Sequence, residues 1–155
     1  MQTYTHMAVG LAASQLLFPG NNVAQATMVA ATVVPDVPAA IQFALDVLKK
    51  KRPLVEQSKR FVMVQEVVHS LIVWLAVLML PFPVFCGVYS HLFLDFISHS
   101  GKEFEKTDPG MLWPIPVKLR GLFEYRTAGA GGLWTSLDLW ISGGAIIVFV
   151  VLRLM

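Results

Sequence analysis

Apolar residues along this chain run in long blocks broken by proline and glycine, and seldom alternate with polar ones. Short alternating runs bounded by hairpin turns, the pattern of half-buried strands, are missing, so the blocks predict helices. One is expected from Thr5 to Leu17, stopped by "FPGNN", and one from Asn22 to Val33, with a break at "PDVP" (Pro35–Pro38). A third continues to Lys50 and turns at "KRP"; a long fourth runs from Leu54 to Leu80 and ends at "PFP" (Pro81–Pro83). The remaining two are expected from Val84 to His99 and from Leu133 to Arg153. Between them Pro109, Pro114, Pro116 and the "GAGG" run Gly129–Gly132 predict loop. The expected fold is all-α, a single-domain multi-helix bundle over residues 1–155.

Two blocks are apolar enough to predict a bilayer. Leu137–Met155 carries charge only at Asp138 and Arg153 and approaches the ~20 residues a span requires. Val67–His99 reads as a helical hairpin with each arm near that length and its prolines at the turn. Composition agrees: 55% of residues are hydrophobic, 14% are charged and mean hydropathy is +0.63, where a soluble domain carries about 25% charge. The expectation is therefore a bundle partly embedded in a membrane, with 137–155 as a C-terminal transmembrane helix. The N-terminus has no basic stretch ahead of its apolar run and is not read as a cleaved signal peptide. The clusters "KKKR" and "SKR" predict a cytoplasmic loop of an inner-membrane protein, with membrane lipid as a partner. Arg60 precedes His69 by nine residues, about 13.5 Å along a helix, which places His69 near the cytoplasmic face. A single cysteine, Cys86, excludes an intrachain disulfide and a thiolate-rich zinc site. No nucleic-acid or nucleotide-binding motif is present, so no nucleic-acid partner is expected.

Against this background three ionisable residues stand out. His91, Asp95 and His99 follow one another at four-residue spacing, which makes one polar stripe on a helix. His69 lies twelve residues before Pro81 and Asp95 twelve after Pro83, so an antiparallel hairpin brings them level. Asp36 lies fifteen residues before Lys51 and His69 sixteen after Pro53, which brings Asp36 to the same level. His6, at the start of the first helix, closes the set. Neutral imidazoles and carboxylates are the donors that zinc and similar divalent ions take. The candidate metal ligands are His6, Asp36, His69, His91 and Asp95, with His99 as a further one, and they predict one or two ions, zinc first. Gln65, Glu66, Ser70 and Ser90 adjoin the histidines and are candidates to orient them, Glu66 also as a general base. Each residue has a plainer role open to it: a core hydrogen bond for a histidine, a helix cap for Asp36 or Thr5, packing for Trp74, Trp113, Trp134 and Trp140. Convergence in height favours the metal site.

The motifs "THMAVG" (Thr5–Gly10), "PD" (Pro35, Asp36), "HSL" (His69–Leu71), "SHLFLD" (Ser90–Asp95) and "GMLWP" (Gly110–Pro114) occur in this order. In that order the chain resembles the bacterial inner-membrane metal-dependent hydrolases, which are similar to the all-α zinc-dependent phospholipase C group. The resemblance implies metal ligands at His6, Asp36, His69, His91 and Asp95, and "HSGKE" (His99–Glu103) is similar to a further H-x-x-x-E element. It implies hydrolysis of a phosphoester in a lipid or lipid-like substrate through water activated by the metal. Two other functions fit the same residues: a non-catalytic membrane protein with a structural metal, and a metal or proton carrier.

Overall fold

The computed structural model describes residues 3–50, 59–98 and 136–155, together with Leu112, Pro114 and Ile115. His99, Glu103 and most of the expected loop before the last helix lie outside the described residues. All regular elements among the described residues are helical: α1 (Thr3–Leu17), α2 (Asn22–Ala31), α3 (Asp36–Lys50), α4 (Lys59–Val68), a 3-10 segment (Val73–Met79), α5 (Phe82–Ser98) and α6 (Ser136–Leu154). The all-α expectation is met.

Local chemistry sets the joints. Gly20 takes φ +73°, a left-handed conformation that glycine adopts without a Cβ clash, and turns the chain out of α1. Asn21 then caps α2, its side-chain oxygen accepting from the Ala24 N–H at 3.0 Å. Pro35 separates α2 from α3, but Pro38 lies inside the first turn of α3, where a missing N–H costs no helical bond. The break thus covers residues 32–35 and falls earlier than the one expected over Pro35–Pro38.

The long helix expected over Leu54–Leu80 does not form as one element. α4 stops at Val68, and Ser70 offers its hydroxyl oxygen to the N–H groups of Ile72 (3.2 Å) and Val73 (3.4 Å). The Trp74 indole N–H donates back to the Val68 carbonyl. Side-chain oxygens that bond nearby backbone compete with the helix ladder, and the chain restarts as a 3-10 segment. The hairpin of two spanning arms over Val67–His99 is corrected accordingly. Among the described residues no single helix is long and apolar enough to cross a membrane; Asn22–Ala31 and Asp36–Gln42 reach the required length and apolarity only as a pair bent by 45°.

Helix α1 packs along α6 and against α2 and α5, α2 packs on α5, and α3 pairs with α4. Small residues let these backbones approach. A Cβ on Gly87 of α5 would lie 2.3 Å from the Met28 carbonyl oxygen, and one on Gly10 of α1 would lie 2.5 Å from Thr32 Cγ2. Ala31, Val88 and Leu92 form the buried apolar centre, with Leu71, Trp74 and Val84 against it. The larger apolar side chains point the other way. Leu16, Leu17, Val23, Leu78, Met79 and Phe82 are exposed around the α1–α2 turn and the start of α5, ends that the Phe18–Phe82 ring contact (5.9 Å) joins. The polar residues gather at the opposite end of these helices: His6 lies about 18 Å from Phe18 along α1, and Asp95 about 20 Å from Phe82 along α5.

Candidate metal centre

Three helices and one helix end deliver the polar cluster. His6 comes from the first turn of α1, Asp36 from the first residue of α3, His69 from the residue after α4, and His91 and Asp95 from successive turns of α5. His6, His69, His91 and Asp95 are all buried, His91 completely. The Asp36 side chain keeps 28% of its surface and is the one open edge of the set.

The histidines are oriented by backbone carbonyls. Because α2 ends at Ala31, the Thr32 carbonyl is released from a helical ladder and meets His91 Nδ1 at 2.6 Å. His69 Nδ1 lies 2.9 Å from the Gln65 carbonyl oxygen one turn back. A carbonyl oxygen only accepts, so both Nδ1 atoms carry a proton, and a ring with no second proton presents a bare Nε2 to the interior. Those two Nε2 atoms are 3.4 Å apart. Asp36 Oδ1 lies 3.5 Å from His69 Nε2 and 3.6 Å from His91 Nε2. Asp95 Oδ2 lies 3.4 Å and 3.1 Å from the same two atoms. The other Asp36 oxygen accepts from Thr3 Oγ1 at 2.7 Å, which fixes the carboxylate.

Such a set is made of acceptors facing acceptors. It is stable only with positive charge among them, either protons on the histidines or a metal ion. The fit to an ion is close. Ligand atoms around a tetrahedral zinc, with bonds of about 2.0–2.1 Å, are about 3.3–3.4 Å apart. The triangle Asp36–His69–His91 has edges of 3.5, 3.6 and 3.4 Å. Two groupings of donor atoms among the described residues lie close enough together to hold an ion: Asp36, His69 and His91, and His6, His91 and Asp95.

His6 completes the second grouping. Its ring stacks on His91 with centroids 3.8 Å apart, and its Nε2 lies 3.1 Å from Asp95 Oδ1. Both its ring nitrogens are buried and neither makes a hydrogen bond of acceptable geometry, the state of a donor that awaits a ligand. Burial pushes the His6 pKa down, against the charge of Asp95. Burial also opposes charge on His91, but the hydrogen bond and charge of Asp95 and the charge of Asp36 outweigh it and raise its pKa. Asp36 is held below its ordinary range: burial would raise it, and His69, His91 and Thr3 more than offset that.

The structure thus brings His6, Asp36, His69, His91 and Asp95 together. Their convergence does not come from two straight helices of matched length, as the spacing argument supposed, because His69 sits where α4 breaks. Of the neighbours, Ser70 caps the 3-10 segment, Ser90 donates to the Gly87 carbonyl (2.8 Å), and Gln65 meets His69 through its backbone carbonyl. Glu66 is half-buried one turn before His69 and belongs to neither donor grouping. Thr3 and Thr32, the residues that position Asp36 and His91, were not legible in the sequence, since a hydroxyl near a helix start and a backbone carbonyl leave no motif. Comparison with protein-family models, with curated proteins and with solved structures gives no match in any of the three.

Proposed function

We propose that the chain is a membrane-associated, metal-dependent hydrolase of phosphoesters carried by lipid or lipid-like molecules. The observation that carries this reading is the triangle of Asp36, His69 and His91, acceptor-only, buried behind and open at Asp36. Catalytic zinc sites hold nitrogen and oxygen donors from three protein ligands and leave a fourth position for water or substrate, whereas structural sites are closed and usually rich in thiolate. A divalent ion there, zinc first, would supply Lewis-acid activation of water near neutral pH and offset charge on phosphoryl oxygens.

The protein's own groups have distinct parts in this proposal. The Thr32 and Gln65 carbonyls hold His91 and His69 in the tautomer that presents Nε2, and Thr3 holds Asp36. Asp95 spans the two groupings, one oxygen toward His6 and one toward His69 and His91. A single Nε2 lone pair serves one ion, so His91 cannot serve both groupings at once, and whether one or two ions would be held is decided by the measurement below. Glu66, beside His69 in sequence, is the proposed general base or orienting carboxylate.

The membrane part rests on how the surface is distributed. Alanine, serine, threonine and the polar cluster fill much of the interior around Met28, Val88 and Leu92, and many other leucine, valine, methionine and phenylalanine side chains stand outside. That arrangement suits helices packed in lipid, where small residues mediate contact and ionisable groups face inward. The apolar end around Phe18, Met79 and Phe82 and the outward face of α6 are the surfaces proposed to sit in the cytoplasmic membrane, to part of its depth. The basic clusters "KKKR" and "SKR" are proposed to mark the cytoplasmic side of the membrane. A second reading, a structural metal, is favoured by the closeness of Asp95 as a fourth donor.

The test is elemental analysis of the full chain purified in detergent, with Asp36→Ala and His91→Ala alongside, followed by phosphoester hydrolysis with and without chelator. Stoichiometric zinc lost in both variants, with chelator-sensitive hydrolysis, is the expected result. Metal without hydrolysis of any phosphoester leaves the structural reading. Metal-free wild type, purified without chelator, overturns both.

A further inference from the structure

Helix α6 contributes nothing to the donor groupings, yet it buries an acid beside them. Asp138 is fully buried and accepts a hydrogen bond from Thr5 Oγ1 at 2.6 Å. Thr5, also fully buried, accepts in turn from Ser142 Oγ at 3.1 Å, one turn further along α6. An apolar helix does not need a buried carboxylate to dock on a neighbour, and burying one is costly unless it is hydrogen-bonded. What the acid does is set where α6 meets α1.

The meeting point is the first turn of α1. Three of its residues reach three different elements: Thr3 bonds Asp36 of α3, Thr5 bonds Asp138 of α6, and His6 lies against Asp95 and His91 of α5. A first helical turn has no intrahelical partners for its N–H groups and is the part of a helix that frays most readily. Its order here depends on those side-chain contacts. The Thr5–Asp138 bond, backed by Ser142, ties it to a helix outside the cluster.

We propose that Asp138 is a positioning residue for the metal centre, which through Thr5 locks the first turn of α1 and so couples the docking of α6 to metal binding at His6. This rests on the reading of the cluster as a metal centre. Coupling between two sites is reciprocal: docked α6 raises affinity for the ion, and the ion holds α6 in place. His6, otherwise without a hydrogen bond of acceptable geometry, is where the two meet.

The experiment is zinc affinity of the full chain in detergent, by competition with a chromophoric chelator, for wild type, Asp138→Asn, Thr5→Val, Thr5→Ser and Ser142→Ala. Asp138→Asn and Thr5→Val are expected to weaken zinc at least tenfold, while Thr5→Ser, which keeps the hydroxyl, stays within about twofold of wild type. Ser142→Ala, the mildest change, keeps the measurement alive if the others fail to fold, with an expected loss of about threefold. In a His6→Ala background the Asp138→Asn loss is expected to shrink below twofold, as a double-mutant cycle requires of coupled residues. Hydrogen exchange reads the same coupling from the other side: zinc should slow exchange in α6 of wild type and not of Thr5→Val. Wild-type zinc affinity in both Asp138→Asn and Thr5→Val, or equal losses with and without His6, overturns the coupling and leaves the metal centre standing. A wild type that takes up no zinc removes the metal centre and the coupling with it.

Discussion

The Nε2 atoms of His69 and His91 face each other at 3.4 Å across 22 residues of sequence, while each ring's Nδ1 is committed to a backbone carbonyl. Two imidazole lone pairs directed at one another, with carboxylate oxygens on the same point, repel unless a cation lies between them. The packing of α2, α4 and α5 brings acceptors together where apolar contact would have been easier. The relation between these two rings is the reason to treat the cluster as a binding site and not as buried polar packing.

Asp95→Asn should remove most of the metal-dependent stability. Anything that binds the folded state alone stabilises it by about 2.7 kcal/mol at a hundredfold excess over its Kd. Thermal unfolding of wild type with and without excess zinc should show that gain, and Asp95→Asn should show little of it. No zinc shift in wild type would count against the centre.

His91→Ala should destabilise the apo chain as well as abolish metal uptake. His91 is completely buried, and the Thr32 carbonyl would lose its partner. A loss of about 2–4 kcal/mol in denaturant unfolding is expected from the cavity and the stranded acceptor. A cost below 1 kcal/mol, on the order of one surface substitution, would mean the side chain is not packed as described.

Thr3→Val should leave the fold intact and weaken zinc. The hydroxyl holds Asp36 Oδ2 at 2.7 Å, and Asp36 is the open edge of the triangle. Loss of such an orienting bond commonly lowers metal affinity by about 10–100-fold. Unchanged affinity would show that Asp36 is not a ligand or needs no support.

Gly87→Ala and Gly144→Ala should move stability in opposite directions. A Cβ at Gly87 meets the Met28 carbonyl oxygen at 2.3 Å and Ala31 Cβ at 2.6 Å, so α5 must shift from α2 and carry His91, one turn on, with it. A cost of about 1–3 kcal/mol and weakened zinc are expected. At Gly144 a Cβ meets nothing within 4 Å, and the gain in helix propensity is worth up to ~1 kcal/mol.

Trp140, 79% exposed on α6, tests the lipid surface. In vesicles containing brominated lipid, the fluorescence lost on going from wild type to Trp140→Phe should be the quenchable part. An equal quenching of both proteins would place that face of α6 outside the bilayer.

Much of this was readable from the chain alone. Long apolar blocks punctuated by Pro35, Pro81, Gly20 and Asn21 determine that the elements are helices and roughly where they stop, because those residues act on their own backbone. The convergence of His6, Asp36, His69, His91 and Asp95 was readable too, since ionisable groups are rare in such blocks and their spacing points inward. What the chain could not disclose depends on contacts between segments. Ser70 and Trp74 end α4 early through bonds to nearby backbone, an outcome that turns on local competition the apolar pattern does not register. The Thr32 carbonyl reaches His91 because Gly87 lets α5 close on α2. Thr5 meets Asp138 across 133 residues, a pairing that only the packing of α6 on α1 decides. Side-chain type and local propensity are properties of the sequence; which acceptors end up facing one another is a property of how closely the helices pack.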